Sequence, residues 1–292
     1  MAASAPPAEA GIRHSDVRPS GRKSRPFQTV WLKSWHTLVL VAALFVVWWF
    51  VTATKLVAPY IIPSPADTWA VGAENAGYLA QNAWVTTVET LVGFAIAAVI
   101  GELVAILMVY SEGMEKTLYP VILFAQVVPK IAIAPLFVVW LGFGAEPKIL
   151  VAVLMAFFPV VISGMAGLKS VDVEILELVS TMGASPVKTF LKVRLPASLP
   201  QLMSGLKVAA TLAVTGAVVG EFVGANEGLG YVILQANGIV NTAMLFAALF
   251  IMSILGVLLF AVIEVAERLL IPWHSSRRQG SASTSSFAMS AN

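Results

Sequence analysis

The sequence predicts an all-α membrane protein, a polytopic bundle of about six transmembrane helices. Hydrophobic residues make up 58% of the chain and charged residues only 12%, whereas soluble domains carry about 25% charged residues. Long apolar stretches of bilayer-crossing length recur along the chain. The Lys and Arg residues gather in alternate turns between these stretches, which is typical of a chain that crosses the membrane several times.

Charge and residue usage exclude several functional classes. The formal net charge is +2, which argues against a nucleic-acid partner. The chain has no cysteine, so disulfides and thiolate metal sites are excluded. His14, His36 and His274 lie far apart in sequence, so a histidine metal centre is not expected. We expect no bound cofactor.

The two ends of the chain differ from its middle. Residues 1–34 are rich in Ala, Pro, Ser and Arg and predict a disordered N-terminal tail, as do the Ser-rich residues 275–292 at the other end. The first span is predicted at His36–Thr54. Beyond it, prolines interrupt any long helix, and Ser64 can cap a short amphipathic helix that has Pro65 at its first position.

Five further spans follow in the middle of the chain. They are predicted at Trp84–Tyr110, Tyr119–Gly142, Ile149–Gly167, Ser198–Gly224 and Ala243–Glu267. Pro129 and Pro135 interrupt the third span, which membranes tolerate where the backbone lines a cavity or finds other partners. Ser198–Gln201 has the spacing of a capping box and is expected to open the fifth span. Residues 225–241 are expected to form a Gly-rich outer segment.

The fifth span carries a stripe of small residues. They recur every third or fourth position, at Gly205, Ala209, Ala213, Gly216, Gly220 and Gly224. Such a stripe lets another helix approach closely. We expect that helix to belong to the same chain rather than to a dimer partner.

The basic residues predict the orientation of the chain. Most of them fall before the first span, after the second, between the fourth and fifth, and after the sixth, whereas the outer loops hold only Lys55 and Lys148. By the positive-inside rule, both termini and the segment between the fourth and fifth spans are predicted to be cytoplasmic.

That cytoplasmic segment, Asp172–Pro196, carries the most specific pattern in the chain, DVEILELVSTMGASPVKTFLKVRLP. Asp172 can cap a helix that keeps Glu174 and Glu177 near its positive end. Gly183 supplies a turn, because glycine readily adopts the left-handed conformation just past a helix end.

A second short helix is predicted after this turn. Ser185 supplies its N-cap and Pro186 its first position. Lys188 and other basic residues occupy its later turns, and Leu195–Pro196 is expected to end it. The segment is therefore predicted to be a water-exposed helical hairpin.

The hairpin resembles the signature loop of ABC-transporter permeases, which is EAA, three residues, Gly, nine residues, Ile, any residue and Leu-Pro. Here it reads Glu177-Leu178-Val179, Gly183 and Val193-Arg194-Leu195-Pro196, with every spacing kept. The departures are two larger apolar residues for the alanines and valine for isoleucine. The resemblance implies that residues 168–200 form a coupling loop that enters a groove of a cytoplasmic ATPase. The residues implied are Glu174, Glu177, Gly183, Ala184, Ser185, Pro186, Arg194, Leu195 and Pro196.

Other segments resemble the nitrate, sulfonate and taurine branch of these permeases. They are IIPSPADTW, VPKIAIAPLFVVWLGFG, AFFPVVISGMAGLKSVD and GAVVGEFVGANEGLGYVI. The resemblance implies a type I ABC importer permease core over residues 35–274, in a bacterial inner membrane. It implies three partners: a second permease copy forming a homodimer, a cytoplasmic ABC ATPase dimer, and an extracytoplasmic solute-binding protein. The implied cargo is an aliphatic sulfonate, taurine or nitrate, and similarity to importers of thiamine-pyrimidine precursors and riboflavin leaves those cargoes open.

Charged residues inside the spans need an explanation, because they are costly in a bilayer. Glu89 and Glu221 are placed towards the outer ends of the second and fifth spans, and Glu102 and Lys130 nearer mid-depth. Two interpretations stay open for Lys130, Glu102 and Glu221. They brace the bundle by pairing with each other or with free carbonyls, or they line the path, where Lys130 meets an anionic solute.

The sequence gives less support to other functional classes. The chain has no G-x-x-x-x-G-K-[ST] loop, so it is not expected to be an enzyme with its own ATPase site. An ion-coupled secondary transporter remains an alternative, but it favours repeats and paired broken helices, and the sequence shows one broken span. A membrane-embedded enzyme needs a cluster of reactive residues that the scattered histidines do not supply.

Overall fold

The computed structural model describes residues 26–271 of the chain. Within that range the chain forms helices and turns and no strand. The helices are α1 (Pro26–Ala53), α2 (Pro65–Glu74), α3 (Ala76–Tyr110), α4 (Glu112–Val127), α5 (Lys130–Leu141), α6 (Ala145–Leu168), α7 (Val173–Thr181), α8 (Pro186–Thr189), α9 (Leu195–Gly224), α10 (Leu229–Gly238) and α11 (Thr242–Leu270).

Residues up to Phe50 form one compact unit and residues from Val51 a second. Helix α1 covers the predicted first span as far as Ala53, one residue short of Thr54, and exposes apolar side chains from Leu38 onward. It begins at Pro26, inside the segment predicted as the N-terminal tail. The rest of that tail, residues 1–25, and the predicted C-terminal tail lie outside the described residues.

In the second unit, α6 is the central helix and packs against α3 on one side and α9 on the other. Small side chains make this contact close. A core layer of Ala97, Ala156, Val160, Ala209 and Ala213 joins the three helices at mid-length, and each of these residues is fully buried. Helix α11 completes the core by packing on α9 and α10.

The small-residue stripe of α9 faces α6 of the same chain, as predicted. A Cβ atom at Gly216 would lie 2.7 Å from Cα of Ala152, and one at Gly220 would lie 2.7 Å from Cα of Lys148. Larger residues at these positions would force the two helices apart. The stripe therefore serves packing within one chain, and that prediction is confirmed.

Within residues 26–271, four helical segments are long and apolar enough to cross a membrane: α3, α6, the continuous segment Pro186–Gly224, and α11. Helices α4 and α5 are long and apolar enough only when taken together, and they are bent by 94° at the break between them, the geometry of a broken span or a re-entrant loop. The break falls at Val128–Pro129, whereas Pro135 is accommodated inside α5. The predicted polytopic helical bundle is confirmed.

The start of the fifth span differs from the prediction. Helix α8 does not end at Leu195–Pro196, because a π-helical turn, Phe190–Arg194, carries the chain directly into α9. Leu195 N–H donates to the Phe190 carbonyl across this wider turn, and Pro196, the next residue, lies inside the continuous helical segment and supplies no N–H to it. Ser198 is consequently inside a helix, where its hydroxyl donates to the Leu195 carbonyl at 2.9 Å. The predicted capping box is wrong.

Two further elements lie between the predicted spans. Ser64 caps α2 by accepting a hydrogen bond from Asp67 N–H at 3.0 Å, with Pro65 as the first helical residue, which confirms the prediction. The Gly-rich segment 225–241, in contrast, contains the helix α10, whose Leu229, Val232 and Ile233 pack against α11. The prediction gave no helix there.

Candidate functional site: the α7–α8 hairpin and a buried polar cluster

The hairpin turns through a Schellman motif at the end of α7. Gly183 has φ +75°, its N–H donates to the Ser180 carbonyl at 2.9 Å, and Ala184 N–H donates to the Val179 carbonyl at 3.3 Å. This pattern satisfies the last carbonyls of a helix and requires a left-handed residue, for which glycine carries the least strain. The predicted role of Gly183 as the turn residue is confirmed.

The start of each hairpin helix follows from its capping residue. Ser185 accepts a hydrogen bond from Lys188 N–H at 3.4 Å, and Pro186 is the first residue of α8, both as predicted. Asp172 occupies the N-cap position of α7, but its side chain makes no capping hydrogen bond, contrary to the prediction; only its backbone carbonyl accepts from Ile175 N–H, at 3.1 Å. Glu174 lies in the first turn of α7 and Glu177 one turn later, both exposed.

The hairpin presents apolar side chains to its surroundings. Every residue of α7 and α8 is exposed or half-buried. Leu178 is 60% exposed, Met182 78% and Val187 67%. Such residues on a charged, turn-connected hairpin form a surface of the kind that a partner covers.

The second half of the hairpin is continuous with the fifth span. Helix α8, the π-helical turn and α9 form one helical segment of 39 residues, Pro186–Gly224, which we call the rod. Leu195 and Pro196, predicted to close the coupling loop, lie at the start of α9. The Arg194 guanidinium lies 5.8 Å from the ring centroid of Tyr110, near the end of α3. A force on α8 is therefore applied directly to α9.

A buried polar cluster lies at the other end of α9. We use this name for Asn82, Thr86 and Glu89 of α3, Lys148 of α6, and Glu221 of α9. Each is at most 4% exposed. The Lys148 ammonium forms an ion pair with the Glu89 carboxylate.

Glu221 holds the start of α10. Thr86 Oγ1 donates to Glu221 Oε1 at 2.6 Å, and Gly230 N–H donates to Glu221 Oε2 at 2.5 Å. Thr86 also accepts from Leu229 N–H at 2.8 Å. These N–H groups form the positive end of α10, which favours a carboxylate.

Asn82 and two glycines complete this contact. Asn82 Oδ1 accepts from Gly228 N–H at 2.8 Å. Gly228 has φ +109°, and a Cβ atom at Gly230 would lie 2.7 Å from Glu221 Oε2. The cluster therefore joins α3, α6, α9 and α10, with Lys148 compensating Glu89 and the α10 N-terminus compensating Glu221.

The sequence predicted part of this cluster. Glu89 and Glu221 were singled out as charges within spans, but Lys148 was predicted to be an outer-loop cation. The structure buries Lys148 to 3% exposure between α3 and α9. The available signal was Gly220, next to Glu221, because the missing side chain leaves room for the Lys148 stem.

Lys130 and Glu102 have separate environments. Lys130 Nζ donates to the Gln126 carbonyl at 2.8 Å, in the last turn of α4, and lies 4.8 Å from the ring centroid of Phe158. The Glu102 carboxylate lies against Gly164 of α6. Within the described part of the chain, its oxygens are buried without a hydrogen-bond partner, and the structure does not bring Glu102 to Lys130.

Residues 97–273 match the family model described as binding-protein-dependent transport system inner membrane component. The chain belongs to this family. It is 37% identical to the formylaminopyrimidine transport permease protein ThiX of Halalkalibacterium halodurans, over 78% of this chain and 92% of ThiX. It is 30% identical to the taurine transport system permease protein TauC of Escherichia coli, over 80% of this chain and 88% of TauC.

A similarity to a solved structure agrees with this membership. The fold matches a chain of the inward-facing MetNI methionine ABC transporter with a TM-score of 0.60, at 22% identity, over 67% of this chain and 97% of that one. The predicted type I ABC importer permease fold is confirmed. The chain is a permease of an ABC importer, and family membership decides against the ion-coupled alternative.

Proposed function

We propose that this permease works as a homodimer that forms the translocation path for a small organic solute. A cytoplasmic ABC ATPase dimer docks on the α7–α8 hairpins of the two copies, and a solute-binding protein delivers cargo on the opposite side of the inner membrane. The description of the family supports the general scheme. The hairpin itself supports the assignment of the ATPase contact.

The observation that carries this proposal is the exposed apolar surface of the hairpin. Leu178, Met182 and Val187 are each more than half exposed, although burial of such a side chain stabilises a protein by about 1.5–3 kcal/mol. A short helix with apolar anchors fits the helix-in-groove mode of recognition. The groove of an ATPase subunit is the occupant that the family scheme provides.

The turn at Gly183 and the continuous rod give the docked hairpin a mechanical role. The Schellman motif fixes the angle between α7 and α8, and α8 is continuous with α9. Closure of the ATPase dimer would then displace α9 itself. ATP shifts the equilibrium between two conformational states of the importer only if it binds one of those states more tightly than the other.

A matched pair of substitutions tests the docking surface. Leu178→Glu places a charge on the proposed contact, whereas Ser180→Glu places the same charge about 200° around α7. We expect L178E to abolish co-purification with the ATPase and S180E to retain it. Equal co-purification of the ATPase with both variants would contradict the proposal. As a folding control, each detergent-solubilised variant should elute as a monodisperse species.

Orientation is tested by labelling a single cysteine, because the native chain has none. We propose that both termini and the hairpin are cytoplasmic. Met182→Cys, on the exposed hairpin, should react with an impermeant maleimide in inverted vesicles that lack the ATPase and not in right-side-out vesicles. The reverse pattern would overturn the proposed orientation.

For the cargo, we propose a small polar organic solute, either an aliphatic sulfonate or taurine, or a formylaminopyrimidine or riboflavin. Four relatives support these two classes, because they are named as permeases for formylaminopyrimidine, aliphatic sulfonates, taurine and riboflavin. Lys130 and Lys148 both have partners within the chain, so neither supports anion selection by the permease. We therefore assign solute selection to the binding protein.

Calorimetry of the partner binding protein tests the cargo. Taurine, an aliphatic sulfonate, nitrate, formylaminopyrimidine and riboflavin should be titrated separately. Saturable binding of one organic solute to the binding protein would identify the class of cargo if the same solute also competes for uptake by the whole importer. Binding of nitrate alone would contradict the proposal of an organic cargo.

A further inference from the structure

The membrane-spanning helices differ in what their exposed faces carry. At mid-length, α3 exposes Ile96, Val99 and Leu103, and α11 exposes Val257 and Leu258. These faces are apolar, as contact with lipid tails requires, apart from Ser253 of α11, whose hydroxyl donates to the Leu249 carbonyl at 2.8 Å.

Helix α9 exposes a face of different chemistry. Between Ser198 and Glu221 its exposed residues follow helical spacing, on the side opposite the small-residue stripe: Gln201, Ser204, Val208, Thr211 and Thr215. Ala197 and Phe222, nearer the ends of the helix, are exposed as well. We call the four polar residues, Gln201, Ser204, Thr211 and Thr215, the α9 polar stripe.

The stripe reaches the depth at which α3 and α11 are apolar. Ala209 and Ala213 share one buried layer with Ala97 of α3, so Thr211 lies near the level of Val99. Ala210 and Val214 likewise share a cluster with Leu259 of α11, which places Val257 near this level. The polar character of α9 is therefore not explained by proximity to the bilayer surface.

The threonine hydroxyls retain hydrogen-bonding capacity. Thr211 Oγ1 donates to the Val208 carbonyl at 2.7 Å, and Thr215 Oγ1 donates to the Thr211 carbonyl at 3.1 Å. Each hydroxyl oxygen can still accept a hydrogen bond, which lipid tails cannot supply and water or a solute can.

We propose that the α9 polar stripe lines the aqueous translocation path and contacts the solute by hydrogen bonds. This proposal rests on the proposed function, because it requires a path bounded by two copies of the chain. The stripe carries no formal charge, so it suits a solute that is recognised by uncharged donors and acceptors. Because α9 is continuous with α8, movement of the hairpin moves the stripe.

Single-cysteine labelling tests the proposal in membranes that contain the whole importer. The variants are Thr211→Cys and Thr215→Cys, with Val99→Cys and Val257→Cys as controls at the same depth. A cationic, membrane-impermeant methanethiosulfonate is applied, and the modified fraction is normalised to the thiol that reacts after denaturation. We expect the stripe cysteines to react roughly tenfold or more faster than the controls, because only the thiolate reacts and it forms in water rather than lipid.

The outcomes separate the stripe from the importer assignment. Equal, slow labelling at all four positions would place the stripe against lipid or in a dry contact and would overturn the proposal. ATP-driven uptake by the cysteine-free parent, measured in the same membranes, reports separately on the proposed function. If uptake is retained while the stripe cysteines and the control cysteines react equally slowly, the proposal for the α9 polar stripe is refuted and the proposed function is not.

Discussion

At one end of α9, Glu221 is buried against Thr86 and the first turn of α10. At the other end, the helix passes through a π-helical turn into α8, and Met182 and Val187 of the hairpin are exposed. The first end places a charge in an apolar interior, and the second places apolar side chains in water.

Each arrangement is costly, but the two are compensated in different places. The carboxylates of Glu89 and Glu221 find Lys148 and backbone N–H groups inside the same chain, so this end stabilises the fold of one subunit. The apolar hairpin has its side chains uncovered within one chain, and under the proposed function an ATPase subunit covers them. Substitutions at the cluster should therefore affect folding, and substitutions at the hairpin should affect coupling.

The largest effect should come from breaking the buried ion pair. Lys148→Met leaves Glu89 as an uncompensated buried charge, and loss of one partner of such a pair costs about 3–5 kcal/mol. We expect a strong fall in thermal stability in detergent. Glu89→Gln combined with Lys148→Met should recover part of that loss, and a double variant no more stable than K148M would contradict the pairing.

The next effect concerns the hairpin turn. Gly183→Val puts a β-branched residue at φ +75°, which costs about 1–3 kcal/mol of local strain without a steric clash, since the site is open. We expect ATP hydrolysis to continue while solute uptake is lost. Gly113→Val, at another open glycine but without a positive φ, is the control. Unchanged uptake in G183V would argue against a mechanical role of the hairpin.

A smaller effect is expected in the middle of the rod. Thr211→Val removes a hydroxyl from the α9 polar stripe and keeps a similar shape. If the hydroxyl contacts solute, uptake should fall several-fold, since one hydrogen bond contributes about 0.5–1.5 kcal/mol. Ser253→Ala, on the exposed face of α11, should leave uptake unchanged; the same loss in both would remove the distinction between the faces.

The smallest effect is expected at an exposed ion pair. Lys116 and Glu112 are one turn apart in α4, with a separation of 2.7 Å and side chains 73% and 80% exposed. Lys116→Met should change the free energy of unfolding by at most about 0.5 kcal/mol. A loss comparable to that of K148M would show that burial is not what separates the two pairs.

Signals within a few residues predicted the local features correctly. Ser64 with Pro65, Gly183, and Ser185 with Pro186 act on their own turns, so the structure contains them as predicted. The spacing of small residues in α9 predicted close packing against a helix of the same chain, and the structure shows that this helix is α6.

Features that depend on distant residues were not predictable in this way. Lys148 pairs with Glu89, and Glu221 joins Thr86 across 135 residues of sequence. The capping box at Ser198 failed because the residues before it were already helical. A short pattern does not specify which helix precedes it or which helix lies opposite.

The π-helical turn at Phe190–Arg194 sets the direction in which α8 faces. Each additional residue within a helical turn changes the azimuth of everything beyond it by about 100°. The exposed Val187 of α8 therefore points in a different direction around the helix axis from the one that an uninterrupted α-helix would give it.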